Sequence, residues 1–388
     1  MSVIRVAPPQ LRTLEAEAHR SATWLELFYD LVFVVAVAVL AARLLEDVTG
    51  AGLASYFGYF ALIWWLWASH TYYADRYDTD DLVYRLIAAA QMVAVVVVAS
   101  SLSPDEASST TAFAIGYAIC RVLLLIMYWR AYRHVAETRS LTKGYLIGFG
   151  LAALVWTSSA LVPQGARIVV WAVALVIDLA TPWVMRQEQA KVPLDVSHLP
   201  ERFGLFTILV LGESIAAVVA GLGHRSWELV PMLAAALAVA LATALWWLYF
   251  DNTHGEVVRR DASVRKTWRP TVWIYTHLPL AAALVGSGVA MERVVVEAGS
   301  GPMPAGDRWL LVGSVSVVLA SLAVIHLASS GGSRLDRLLI YNRIIGIPAL
   351  ILIGLLSSVN APWIALGVLG VCVAEVVGDM ATQAEVVG

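Results

Sequence analysis

The sequence predicts an all-α integral membrane protein of about twelve transmembrane helices, arranged as two parallel six-helix repeats. Three observations predict it. First, hydrophobic residues make up 60% of the 388 and charged residues only 14%, with a mean hydropathy of +0.74. Soluble domains carry roughly 25% charge, so a water-soluble fold with a large core is excluded. Second, apolar stretches of membrane-crossing length recur along the whole chain. Third, two short signatures recur. Glu-x-Phe opens an apolar run at Glu26 and again at Glu201, and Trp64-Trp65-Leu66-Trp67 is answered by Trp246-Trp247-Leu248-Tyr249. The offsets are 175 and 182 residues (Glu26 to Glu201, Trp64 to Trp246), which is the size of a helical bundle rather than of a solenoid unit.

A helix crossing the hydrocarbon core needs about 20 mostly apolar residues. Twelve segments meet that rule: 24–45, 51–72, 82–102, 111–130, 143–162, 167–186, 203–222, 228–250, 270–291, 308–329, 338–358 and 361–380. Turn-forming residues separate them, among them Ser103-Pro104-Asp105, Pro163-Gln164-Gly165, Gly331-Gly332-Ser333 and Asn360-Ala361-Pro362. The expected organisation is a cytoplasmic segment 1–23, a first repeat 24–186, a linker 187–202, a second repeat 203–380 and a short tail 381–388. The first 20 residues lack the apolar core and small-residue cleavage site of a signal peptide, so none is expected.

Charge placement gives the orientation. With twelve spans, the side holding both termini carries 19 Lys and Arg against 5 on the other, and Arg121 and Arg343 inside spans complete the 26. That imbalance places both termini in the cytoplasm. Six spans per half then give both halves the same orientation, related by an axis along the membrane normal. The net charge of −3 argues against nucleic acid. The expected partners are membrane lipids and a small-molecule solute, with no cofactor. Cys120 and Cys372 lie in apolar runs and form no disulfide or zinc pattern.

Ionisable groups inside spans cost roughly 2.5–3.5 kcal/mol each at a helix centre, so each needs a function or a buried partner. One layer lies near the cytoplasmic span ends. Glu26 and Asp30, four apart, share a helical face; Glu201 and Arg202 open span 7. His70 leads into the acidic stretch Asp75 to Asp81. Asp251 and His254 close span 8, and His277 lies two turns into span 9. Acids at helix amino termini also simply complement the macrodipole. A second layer lies deeper: Arg121, Asp178, Glu213, His326, Arg343 and Glu375. Glu213 is twelve residues past Glu201, about 18 Å along the axis, between the small residues Gly212 and Ser214. These groups could pair structurally or form a proton or ion relay. Asp251, His254, His70 and Asp30 offer metal-ligand chemistry without any metal motif, and no metal site is expected. The tryptophan pairs read as interfacial belts, and Gly286-Ser287-Gly288 as a packing notch.

WLELFYDLVFVV at 24–35 and HLPERFGLFTILVLGES at 198–214, with ADRYDTDD at 74–81 and WWLYFD at 246–251, resemble the bacterial low temperature requirement protein A family over nearly the full length. The resemblance implies a multi-pass protein of the bacterial cytoplasmic membrane associated with growth in the cold. It brings no catalytic residue with it. Glu26, Phe28, Asp30, Glu201, Arg202, Phe203, Gly204, Gly212 and Glu213 occupy its signature positions. Three functions fit. A secondary transporter would use Asp30, Asp178, Glu213 and Glu375 as coupling carboxylates. An intramembrane enzyme acting on a lipid or isoprenoid-like substrate would use the cytoplasmic His/Asp/Glu layer. A non-catalytic membrane factor would need these residues only for folding.

Overall fold

The computed structural model describes residues 6–12, 22–78, 80–102, 106–192, 198–223, 228–251, 268–329 and 334–387. Among them are twelve helices of 19 to 29 residues: α1 (Trp24–Glu46), α2 (Gly50–Arg76), α3 (Leu82–Ser100), α4 (Glu106–His134), α5 (Arg139–Ser159), α6 (Gln164–Val184), α8 (His198–Gly223), α9 (Leu229–Phe250), α10 (Arg269–Val296), α11 (Ala305–Ser329), α12 (Arg334–Gly354) and α13 (Ala361–Val387). The six-residue α7 (Arg186–Lys191) follows α6. Eleven are long and apolar enough to cross a membrane. The twelfth, α5, has the length but begins with Arg139 and Lys143 and carries scattered hydroxyl residues. The protein is thus an all-α membrane protein.

Several helices outrun the apolar segments that announced them. Hydropathy marks only the part that lies in hydrocarbon, while the backbone hydrogen bonds continue into polar flanks, as in α4 and α10. The stretch 187–202 holds most of α7 and the first turn of α8. Pro200 sits in that first turn, where its missing N–H costs nothing, so the helix starts ahead of it. A two-stranded antiparallel ribbon, β1 (Gln10–Leu11) with β2 (Tyr77–Asp78), ties the amino-terminal segment to the end of α2.

The chain forms two compact units, each discontinuous in sequence: residues 1–39, 61–202 and 258–271 in one, and 40–60, 203–257 and 272–388 in the other. The first has an aromatic core. Trp64, Trp65, Trp67, Tyr73, Tyr128 and Trp156 are essentially inaccessible, and Tyr117 stacks on Trp156 at 3.9 Å. The interfacial belt expected of Trp64 and Trp65 is therefore corrected, because both are packed among helices. Trp246 and Trp247 are partly exposed. The second unit has an aliphatic core, including Leu241, Leu248, Leu284, Leu311, Leu319 and Val368. Close approach there uses small residues. A Cβ on Gly286 would meet the Ser314 hydroxyl at 2.6 Å, and one on Gly288 would meet Ser214 at 2.5 Å, so the expected packing notch is present.

Candidate functional site

In the first unit, matched helical spacings bring a charged network together. Thr23 and Glu26 make a capping box at the start of α1. The Thr23 backbone N–H and hydroxyl each donate to Glu26 Oε2 at 2.8 Å, and the Glu26 N–H donates back to Thr23 Oγ1 at 3.3 Å. That cap fixes the helix phase, so Glu26 and Asp30 stack on one face. On α8, His198 and Arg202 are also four apart. The two ladders meet. Arg202 grips Asp30 bidentately, Nε to Oδ2 at 3.1 Å and Nη2 to Oδ1 at 2.5 Å, and its Nη1 lies 3.4 Å from Glu26 Oε1.

His198 sits between two carboxylates, Nδ1 3.2 Å from Asp75 Oδ1 and Nε2 3.5 Å from Glu26 Oε2. Only the imidazolium can donate toward both. The α2 helix supplies the remaining side. Trp67 Nε1–H donates to Asp30 Oδ1 at 2.8 Å, and Asp75 lies two turns on along the same face. His70 stacks on Tyr29 with ring centroids 4.0 Å apart, and its Nε2 is 3.4 Å from the Tyr84 hydroxyl. Asp30, Arg202, His198, His70 and Asp75 are all buried, and Glu26 nearly so.

The same unit holds a second buried pair, Arg121 of α4 with Asp178 of α6. Arg121 Nη1 also donates to Ser69 Oγ at 2.8 Å, and Trp156 Nε1–H approaches Asp178 Oδ2 at 3.4 Å. In the second unit, Arg343 of α12 reaches two acids of α13, Glu375 at 2.8 Å and Asp379. Each arginine therefore joins helices through charge-assisted hydrogen bonds, the strongest kind available in a low-dielectric interior.

Other expected site residues behave differently. Glu201 is half-buried and accepts the Ala22 N–H at 3.2 Å. Asp251 caps the end of α9, is exposed, and accepts from Trp247 Nε1. His277 donates from Nδ1 to the Trp273 carbonyl at 2.8 Å and accepts the Tyr249 hydroxyl at Nε2, 3.1 Å away. Both ring nitrogens are satisfied in the neutral form, which makes His277 a hydrogen-bonded core residue. His254 lies outside the described residues. Glu213 is half-buried and has no hydrogen-bond or ion-pair partner among the described residues. Its neighbour Ser214 bonds the carbonyls of Val210 and Leu284.

Sequence reasoning missed His198, Trp67 and Asp379 as participants. For His198 and Asp379 the signal was the four-residue spacing to Arg202 and Glu375. Trp67 stood only in the recurring Trp64-Trp65-Leu66-Trp67 signature, with no role assigned to it. No group of three or more His, Cys, Asp or Glu among the described residues is arranged to hold a metal ion.

The family model described as bacterial low temperature requirement A protein (LtrA) matches residues 21–376. An uncharacterized protein of Rhizobium meliloti (strain 1021) is 26% identical over 286 residues, covering 70% of this chain and 69% of its own. No solved structure matches.

Proposed function

This chain belongs to the bacterial low temperature requirement A family, and on that premise we propose that it is a secondary transporter or permease for a small solute. In this proposal Glu213 is the carboxylate that exchanges protons or ions with the membrane's two sides. The supporting observation is a contrast. Asp30, Asp178 and Glu375 are each held by a buried arginine that joins helices. Glu213, in the middle of α8, has no such counter-charge among the described residues. A carboxyl group without a fixed partner is free to change protonation when its access changes.

Two further features belong to the same proposal: two six-helix repeats of like orientation, and both termini in the cytoplasm of a bacterial cell. The 19-to-5 partition of basic residues supports the orientation. Membrane-impermeant thiol reagents applied to intact cells should spare cysteines placed at either end. Labelling of one end alone would remove the parity.

The transport step is tested with purified protein in vesicles, offered a panel of solutes under imposed proton and sodium gradients. Protein-dependent uptake of at least one solute, lost in Glu213→Gln, is the expected result. Gradient-driven uptake that Glu213→Gln leaves intact would assign coupling elsewhere.

A further inference from the structure

One end of the first unit carries basic side chains that the buried networks do not use. On α4 an exposed face passes from Ile126 to Trp129 to Arg133, in steps of three and four residues. On α5 the exposed face passes from Ile147 through Lys143 to Arg139. At the end of α6, the exposed Trp183 is followed three residues on by Arg186 of α7. In α4 and α5 the apolar side chain lies toward the middle of the span and the cation at its end. Contacts draw these ends together. Arg133 lies over the Trp129 ring at 5.3 Å, and Arg139 crosses from α5 to the Tyr132 ring of α4 at 5.8 Å. Arg186 lies over the Trp183 ring at 5.7 Å and donates to the Trp183 carbonyl at 3.0 Å. The start of α5 seats α7: a Cβ on Gly144 would run into Met185, and Glu188 bonds Ser140.

We propose that this surface, built from Arg133, Arg139, Lys143 and Arg186 with Trp129 and Trp183, binds an anionic phospholipid of the surrounding membrane. None of the four cations has a carboxylate partner among the described residues. Arg130 is spent on Asp81 at 2.8 Å, and Glu188 is matched by Lys191 at 2.6 Å. That leaves Glu137 as the acid of the α4–α5 turn, so the surface is cationic. Helix stability does not account for these charges. Arg139 opens α5 and Lys143 follows one turn on, where a cation opposes the macrodipole and no acid of the first turn offsets it. A guanidinium stacked on a ring still presents an N–H edge, and its fork matches a phosphate. The rings are themselves exposed, Trp129 by 51% and Trp183 by 41%, as at the boundary between headgroups and hydrocarbon. A phospholipid satisfies both halves at once, with an acyl chain along Ile126 and Ile147 and a phosphate at the arginines. A soluble anion would meet the cations and leave the apolar faces bare.

The test uses the full-length protein in neutral detergent, titrated with phosphatidylglycerol, phosphatidylcholine or free glycerol phosphate. A lipid that binds only the folded state raises the unfolding midpoint saturably. The expected rise is about 3 °C with phosphatidylglycerol and none with the other two. Raising the salt from about 0.1 M to about 1 M should weaken it, because exposed cations are screened. Arg139→Gln and Arg186→Gln should each raise the half-saturating amount of phosphatidylglycerol about fivefold, the worth of one surface cation. Their midpoints in phosphatidylcholine should equal that of wild type, which separates lost binding from lost folding. Arg43→Gln removes a guanidinium that lies over the Tyr59 ring at 5.5 Å in the second unit, and should leave the curve unchanged. Equal midpoints in the two lipids, or one curve shared by wild type, Arg139→Gln and Arg186→Gln, would overturn the proposal. So would an equal rise with glycerol phosphate, which would mark a site for free phosphate. An equal shift in Arg43→Gln would mark a general effect of charge and overturn it too.

Discussion

The buried arginine pairs and Glu213, which has no partner among the described residues, call for opposite responses to the same chemical change. Asp30→Asn removes the bidentate partner of Arg202 and leaves a buried guanidinium facing Glu26 alone at 3.4 Å. Breaking a buried pair from one side costs about 3–5 kcal/mol, so this variant should show a large drop in unfolding midpoint by circular dichroism. Glu213→Gln breaks no contact among the described residues and should leave that midpoint unchanged. Away from the spans, Glu297 gives a pH test. Burial, and then the neighbouring Asp307 carboxyl, push it up to about 7 against the attraction of Arg293. A carboxyl whose folded pKa lies above its unfolded value stabilises below the unfolded pKa, near 4.5. That contribution is lost as pH rises through about 7. Glu297→Gln should therefore match wild type near pH 4.5 and exceed it at pH 8. The gain should be on the order of 1 kcal/mol once solvent screening is allowed for, read from unfolding midpoints across that range. Equal pH profiles for the two proteins would deny the shift.

Among elements, the helices were legible and the partners across them were not. Length and hydropathy announced the spans, because hydrocarbon leaves helices as the economical way to satisfy a backbone. The Glu26–Asp30 ladder was legible because four-residue spacing always shares a face. That Arg202 would close on it from 172 residues away is decided by packing, which one sequence does not express. The capping box at Thr23 and Pro200 in the first turn of α8 set the helix phases that make the meeting possible. The same packing turned Trp64 and Trp65 inward, where an end-of-span position had suggested the interface. The small-residue contact was legible and gives a sharp contrast. Gly288→Val drives a side chain into Ser214, already 2.5 Å from a Cβ there, and should cost about 1–3 kcal/mol. Gly212→Ala meets nothing within 4 Å and should be neutral or slightly stabilising through helix propensity. Thermal unfolding of the two variants separates them, and equal losses would contradict close packing at Gly288.

For the whole molecule, a family of bacterial membrane proteins supplies the frame, and among the described residues the networks around Arg121, Arg202 and Arg343 join helices inside the two units. Glu26, Asp30, Arg202 and His198 lock one turn of α1 to one turn of α8, and Arg343 does the same for α12 and α13. In the proposed transport reading, movement of charge falls to Glu213, which has no fixed partner among the described residues. The most direct single measurement is proton movement across vesicles containing the purified protein and an entrapped pH-sensitive dye, with solutes added outside. Wild type should show a solute-dependent change in internal pH, and Glu213→Gln, equally well folded, should show none. A pH response of the same size in Glu213→Gln would contradict the central claim, as would no response in wild type to any solute under either gradient.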